Sequence, residues 1–237
     1  MRYCCSDLHG CFDEFMELLK RINFTGRETM YILGDTIDRG PKPVELLTHI
    51  YENDNIIPLM GNHEEFLLDY ADNGPNAASK DSWQKNNGEV TRLAVDKLHK
   101  DDPALYRNIM DDMKTWDMCI VLDSYILSHA GYNALWLEKL PSTIESLNKM
   151  KPVEFLWSRE EFYCFKGIEN YITIFGHTPV RNIRASLGQK MSDDIWICPQ
   201  YEDKIGIDGA AAYGGQLNCV NLDTLKATVI KQGKANE

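Results

Sequence analysis

The sequence predicts an α/β protein whose β-structure is parallel near the N-terminus and mixed overall. Residues 1–65 alternate between short apolar runs and amphipathic stretches in the order β-α-β-α-β. This order implies parallel strands joined by right-handed crossover helices. The C-terminal third contains short apolar runs in succession, as in a strand meander. A polar stretch of helical character separates the two parts.

The N-terminal part contains three predicted strands and two predicted helices. The strands are the apolar runs Arg2–Cys5, Thr29–Leu33 and Asn55–Met60. Between the first two strands, residues 12–22 place large apolar side chains at helical spacing, which predicts one buried stripe. Pro43 opens the second helix, where the missing N–H of proline costs no hydrogen bond.

The remaining elements complete a mixed sheet. Residues from about 71 to 116 are polar with helical periodicity, which predicts a helical insertion within a single domain spanning 1–237. The predicted strands that follow are Cys119–Leu122, Tyr125–Ser128, Tyr171–Phe175, Gln216–Leu222 and Ala227–Ile230.

Composition argues against several classes of protein. A net charge of −11 disfavours binding to a nucleic-acid backbone, which requires a basic face. No apolar run approaches the length of about 18 residues needed to cross a bilayer, and no secretory leader is visible. The seven cysteines form no Cys-x-x-Cys pair, as expected for free thiols in a reducing compartment. We therefore expect a cytoplasmic protein that does not bind membranes.

Polar side chains follow the predicted strands at the points where the strands end. Asp7 and His9 follow the first strand, Asp35 follows the second, and His129 and His177 follow two later strands. Ligands of open α/β sheets gather at this edge. Carboxylate oxygens together with imidazole nitrogens suit manganese, iron or zinc, and two such ions about 3.5–4 Å apart promote phosphoryl chemistry.

Five motifs occur in a fixed order along nearly the whole chain: Asp7-x-His9-Gly10, Gly34-Asp35-x-x-Asp38-Arg39-Gly40, Gly61-Asn62-His63-Glu64, His129-Ala130-Gly131 and Gly176-His177-Thr178-Pro179. With these motifs the chain resembles the calcineurin-like metallophosphoesterases. More narrowly, it resembles their phosphoprotein phosphatase branch, which includes bacterial and phage-type serine/threonine protein phosphatases. The resemblance implies a sandwich of mixed β-sheets flanked by helices, with a helical insertion.

The resemblance also implies two divalent metal ions, of which manganese is the expected one and iron or zinc are alternatives. By this resemblance, Asp7 and His9 bind the first metal and Asp35 bridges both metals. The second metal is bound by Asn62, His129 and His177. The chemistry of the side chains agrees with these roles. A bridging ligand needs two oxygens, which the Asp35 carboxylate has, whereas the Asn62 amide has only one carbonyl oxygen. A hydroxide derived from solvent would then attack phosphorus directly.

Four further residues receive catalytic roles by the same resemblance. His63 would protonate the leaving oxygen, with Asp38 fixing its tautomer and raising its basicity. Arg39 and Arg159 would clamp the phosphate, because a guanidinium can bind two phosphate oxygens at once. The alternatives are a structural histidine at position 63 and structural ion pairs for the two arginines.

The sequence does not decide between two classes of substrate. Met60 stands where many protein phosphatases carry an arginine, and symmetrical diadenosine tetraphosphate hydrolases, a sister group, also tend to lack that arginine. The leading hypothesis is hydrolysis of phosphoserine or phosphothreonine monoesters, with a phosphorylated protein or a small phosphoester as substrate. The alternatives are a hydrolase of dinucleoside tetraphosphates and, as a minor case, an inactive metal-binding docking module.

Overall fold

The computed structural model describes residues 1–137 and 142–232. Its strands, in chain order, are β1 (Arg2–Cys5), β2 (Thr29–Ile32), β3 (Ile56–Pro58), β4 (Cys119–Leu122), β5 (Tyr125–Ser128), β6 (Ile172–Phe175), β7 (Trp196–Ile197), β8 (Lys204–Gly206), β9 (Gln216–Asn221) and β10 (Ala227–Lys231).

Eleven α-helices lie within the described ranges: α1 (Phe12–Arg21), α2 (Pro43–Tyr51), α3 (Asn62–Asn73), α4 (Lys80–Lys85), α5 (Glu89–Asp101), α6 (Pro103–Met113), α7 (Ala134–Leu137), α8 (Ile144–Leu147), α9 (Pro152–Leu156), α10 (Glu160–Tyr163) and α11 (Val180–Ser186). Short 3₁₀ helices span Gly74–Asn76 and Ala211–Tyr213. None of these helices combines the length and the apolar character needed to cross a membrane.

The strands form two mixed five-stranded sheets. The first sheet has the order β10-β9-β1-β2-β3, in which β1, β2 and β3 are parallel and β9 and β10 are antiparallel. The second has the order β4-β5-β6-β8-β7, with a parallel centre of β5, β6 and β8 between antiparallel edges. The predicted fold class, a sandwich of mixed sheets flanked by helices, is confirmed.

The two sheets pack face to face through an apolar layer. Cys4 and Tyr31 of the first sheet lie in one buried cluster with Leu127, Ile174 and Ile205 of the second sheet. Alternate side chains of β1 point the other way, so that Tyr3 and Cys5 are buried beneath α1 and α2. The short runs of the sequence are therefore apolar on both faces because both faces are covered.

The predicted helical insertion contains α4, α5 and α6, which pack on α2 and α3. Its side chains Trp83, Val95 and Ile109 are buried in one cluster with Leu47 and Phe66 of the main fold. The insertion is thus attached through a shared apolar core, which holds it beside the loops that follow β2 and β3.

Candidate metal centre and active site

The six predicted metal ligands converge at one edge of the sandwich, where the carboxyl ends of five strands meet. These residues are buried and follow β1 (Asp7, His9), β2 (Asp35), β3 (Asn62), β5 (His129) and β6 (His177). The two sheets are joined here, because both carboxylate oxygens of Asp7 accept the backbone N–H of His177, at 3.0 and 2.9 Å. The sequence separation of these two residues gives no hint of this contact.

The backbone is strained at these loops. A left-handed φ is found at six of the predicted site residues: Asp7 (52°), His9 (43°), Asp35 (52°), Asp38 (71°), Arg39 (68°) and His177 (61°). Each such non-glycine conformation costs about 1–3 kcal/mol and persists only when its surroundings enforce it. The loops therefore place these side chains at the expense of local stability, as functional sites commonly do.

Asp35 lies between two groups of histidines. Its Oδ2 is 3.6 Å from His9 Nε2, whereas its Oδ1 is 3.4 Å from His129 Nε2. Burial alone would raise the pKa of Asp35, but the surrounding histidines, chiefly His129 and His63, outweigh burial and lower it. The carboxylate offers one oxygen to each side, which is the arrangement that a bridging ligand requires.

On the His129 side of Asp35, three acceptor atoms face one another. His129 donates its Nδ1–H to the Leu33 carbonyl at 2.8 Å, which leaves a lone pair on Nε2. That nitrogen lies 3.1 Å from the Asn62 carbonyl oxygen and faces Asp35 Oδ1. Since metal–ligand bonds of about 2.0–2.2 Å place neighbouring ligands about 3 Å apart, these three acceptors fit a shared divalent cation.

His9 is oriented in the same manner. Its Nδ1–H donates to the Ile37 carbonyl at 2.7 Å, and its Nε2 faces Asp35. His177 turns Nδ1 toward the site, 3.1 Å from His129 Nε2. Burial, as the leading cause, lowers the pKa of His9, His129 and His177, which favours the neutral imidazole, the form that binds metals.

Asp7 is buried beside a second carboxylate that was not among the predicted ligands, Asp208. Burial, followed by the charges of Asp208 and Asp35, raises the pKa of Asp7 well above its usual range. Burial likewise raises the pKa of Asp208 to about 6. Carboxylates crowded in this way are expected beside a cation, whose charge would offset their repulsion. Asp208 follows β8, a strand too short to have been recognised in the sequence.

His63 pairs with Asp38, as the sequence predicts. The ring Nδ1 is 2.5 Å from Asp38 Oδ2, which leaves Nε2 directed to the site. Burial lowers the pKa of His63, but Asp35 and Asp38 outweigh burial and raise it. His63 Nε2 also lies 3.8 Å from Asp35 Oδ2, so position alone would allow it to bind a metal. The carboxylate partner on Nδ1 distinguishes it from His9 and His129, which donate to backbone carbonyls.

The two arginines line the same cavity of about 430 Å³. The Arg39 guanidinium contacts Nε2 of both His9 and His63 and lies 5.0 Å above the ring of Tyr213. Arg159 is exposed at the rim and donates to Thr178 Oγ1 at 3.1 Å. Both guanidinium groups therefore face the opening through which an anionic substrate would reach the histidines.

Glu64 does more than its sequence position indicates. Its place in the first turn of α3 suits the helix dipole, but the carboxylate is fully buried and accepts four hydrogen bonds. The donors are the backbone N–H groups of Asp35, Thr36 and Gly61 and the Thr36 hydroxyl, at 2.8–2.9 Å. One side chain thus joins the loop after β2 to the loop after β3. The Gly61-x-x-Glu64 spacing, a capping pattern, was the available signal.

Comparison with known proteins gives one family. Residues 3–209 match the family described as calcineurin-like phosphoesterase. Serine/threonine-protein phosphatase 1 of Salmonella typhimurium is 28% identical over 91% of this chain and 89% of that protein. The symmetrical bis(5'-nucleosyl)-tetraphosphatase of Neisseria meningitidis is 23% identical over 97% of this chain and 95% of its own length.

Two further similarities have narrower scope. The symmetrical bis(5'-nucleosyl)-tetraphosphatase of Chromobacterium violaceum is 26% identical over 188 residues, which are 57% of its length. The solved structure of a candidate diadenosine tetraphosphatase has a TM-score of 0.62 at 17% identity, covering 99% of this chain and 94% of that one. At this identity, the structural similarity demonstrates the shared fold alone.

Proposed function

Because this chain belongs to the calcineurin-like phosphoesterase family, and is therefore a metal-dependent phosphoric ester hydrolase, we propose that it hydrolyses phosphate monoesters of the phosphoserine and phosphothreonine type. The observation that carries the proposal is the position of Asp35. Its two oxygens face different histidine groups, and the His63–Asp38 pair lies beside them.

In this proposal the residues form two cation sites that share Asp35. The first set is Asp7, His9 and Asp35, and the second is Asp35, Asn62, His129 and His177, all of them buried. Potential ligand atoms of Asp35, His129 and His177 lie within 4.8 Å of one another, as do those of His9, Asp35 and His63. Two divalent ions held there would polarise the phosphoryl group and lower the pKa of coordinated water. We propose manganese as the ion, because oxygen ligands make up half of the ligand set.

His63 then acts as the general acid. Its Nδ1–H donates to Asp38, which favours the charged ring and holds Nε2–H toward the leaving oxygen. In the structure the Arg39 guanidinium donates to His63 Nε2 at 3.0 Å and lines the cavity; with the ring protonated, it would instead donate to phosphate oxygens next to the acid. Arg159 would hold the same group from the rim.

The relatives support two substrate classes. Similarity to a serine/threonine phosphatase across most of both chains supports the monoester. The second candidate, a symmetrical dinucleoside tetraphosphate, is supported by the relatives of that name and by Met60. The Met60 side chain is buried among apolar residues, so this position adds no guanidinium to the phosphate site.

One assay distinguishes the candidates. Turnover of 4-nitrophenyl phosphate, a phosphothreonine peptide and diadenosine tetraphosphate is measured side by side, with manganese and with a chelator. We expect activity that depends on manganese, with the peptide hydrolysed at least as efficiently as the dinucleotide. A preference for diadenosine tetraphosphate by orders of magnitude in kcat/KM would replace the monoester proposal with the second candidate.

A further inference from the structure

Two donors converge on one oxygen of Asp38. The indole N–H of Trp83, in α4, donates to Asp38 Oδ2 at 2.7 Å, and His63 Nδ1 approaches the same oxygen to 2.5 Å. Trp83 is only 3% exposed, so water does not compete for this bond. The helical insertion therefore contacts the proposed acid through a single carboxylate.

The other oxygen of Asp38 has no partner. Oδ1 is buried and makes no hydrogen bond within the described residues, although a buried carboxylate oxygen normally has one. Rotation about the Cβ–Cγ bond of an aspartate is soft. Without the indole N–H, the carboxylate would lose one of its two donors and would be held by His63 alone. The Trp83 bond thus restricts rotation of the Asp38 carboxylate.

The backbone of this loop is held by the same insertion. Asp38 N–H donates to the buried Thr91 hydroxyl in α5 at 2.8 Å, and Arg39 N–H donates to the Asn87 carbonyl at 3.4 Å. A side chain at Gly88 would collide with the indole ring, so the ring packs directly on that backbone. The left-handed φ angles at Asp38 and Arg39 require external support of this kind.

We propose that Trp83 is a positioning residue for leaving-group protonation. It acts through Asp38 to hold the His63 ring, and it touches neither the proposed metal ligands nor the cavity that takes the phosphate. The inference rests on the proposed function, because it assumes that His63 is the acid.

The chemistry of the acid provides a specific readout. Protonation helps most when the departing oxygen is strongly basic, and helps little when that oxygen leaves readily as an anion. Phenyl phosphate and 4-nitrophenyl phosphate have similar shapes but differ in this respect, since phenol has a pKa of about 10 and the nitro group lowers that of nitrophenol. A defect in proton donation lowers kcat for phenyl phosphate selectively, whereas a general structural defect lowers both rates together.

The test compares Trp83→Phe with a matched control, Trp116→Phe, in the manganese-loaded full-length protein. Trp116 packs against the same apolar cluster, and its indole N–H donates to Asp112 at 3.0 Å, remote from the site. For Trp83→Phe we expect kcat to fall about tenfold on phenyl phosphate, the scale seen when a residue that orients an active-site group is removed. On 4-nitrophenyl phosphate we expect kcat to fall less than about twofold. The ratio of the two rates does not depend on the fraction of folded enzyme. The control should leave this ratio unchanged.

A second comparison tests the route of action. In the Asp38→Ala background, Trp83→Phe should change the phenyl phosphate rate less than about twofold, because residues acting through one partner are not additive. Equal losses on both substrates, or a full tenfold loss in the Asp38→Ala background, would overturn the inference. If the wild-type protein hydrolyses neither substrate with manganese, it is instead the proposed function that fails.

Discussion

The two halves of the candidate site are held in different ways. In the metal half, His9 and His129 are oriented by backbone carbonyls of the loop and strand end that follow β2, namely Ile37 and Leu33. In the acid half, His63 is oriented by the side chain of Asp38, which in turn depends on the insertion. Backbone carbonyls are positioned by the fold whatever the side chain, whereas the orientation of His63 depends on the particular side chains Asp38 and Trp83.

This difference predicts that the halves can be separated by mutation. Changes in the acid half should leave metal binding intact, because no proposed ligand is oriented by Asp38 or Trp83. Changes in the metal half should remove activity altogether, because the phosphate would no longer be bound and polarised. The following variants test this separation, from the largest expected effect to the smallest.

Asp35→Asn should have the largest effect. The amide keeps one acceptor oxygen, but the other becomes an NH₂ donor directed at a histidine lone pair. We expect loss of metal and a fall in kcat of more than about 10⁴-fold, the scale of removing a central member of a catalytic unit. Elemental analysis after manganese loading provides the check. Retention of full metal content would rule out a bridging role for Asp35.

His63→Ala should lower kcat by about 10²–10⁴-fold with metal content unchanged, because it removes the general acid alone. The measurement is kcat on phenyl phosphate, alongside elemental analysis of the same preparation. If this variant loses metal, His63 is a ligand, as its distance of 3.8 Å from Asp35 would permit, and the separation of the halves is wrong.

Glu64→Gln tests the contact that joins two of the loops. An NH₂ group would replace one oxygen that now accepts hydrogen bonds, leaving buried backbone N–H groups unpaired. We expect a loss of about 1–3 kcal/mol in the free energy of unfolding. At roughly 2–4 °C per kcal/mol, this is visible in Tm. Glu65→Gln, at the exposed neighbouring position, should leave Tm unchanged. Equal Tm values for the two variants would contradict the assigned role.

Arg159→Lys should have the smallest effect. Arg159 lies at the exposed rim, where lysine keeps the charge but loses bidentate contact with phosphate. We expect KM to rise about tenfold, equivalent to about 1.4 kcal/mol of binding, with little change in kcat. A large fall in kcat at constant KM would instead indicate a role in the transition state.

The positions of the proposed ligands are easier to read from the sequence than the supports of the acid half. Each proposed ligand directly follows a strand, and strand position can be read from apolar runs such as Arg2–Cys5 and Tyr125–Ser128. The supports of the acid half come from Trp83 and Thr91, which lie 45 and 53 residues beyond their Asp38 partner. No local pattern signals contacts over such separations.

Short elements were also missed. β7 and β8 contain two and three residues, and α7 to α10 contain four or five, which is too short for a period to be visible. Asp208 therefore had no recognisable strand before it. Glu64 lies in the first turn of α3, but its burial depends on the approach of the β2 loop in the folded protein.

The central claim is that Asp35 joins two divalent ions in one site. Metal-free protein titrated with manganese tests it directly, by calorimetry for stoichiometry and by electron paramagnetic resonance for coupling between the ions. We predict two equivalents per chain and the signal of a magnetically coupled pair, lost in Asp35→Asn. A single equivalent, or two ions with independent signals, would contradict the account.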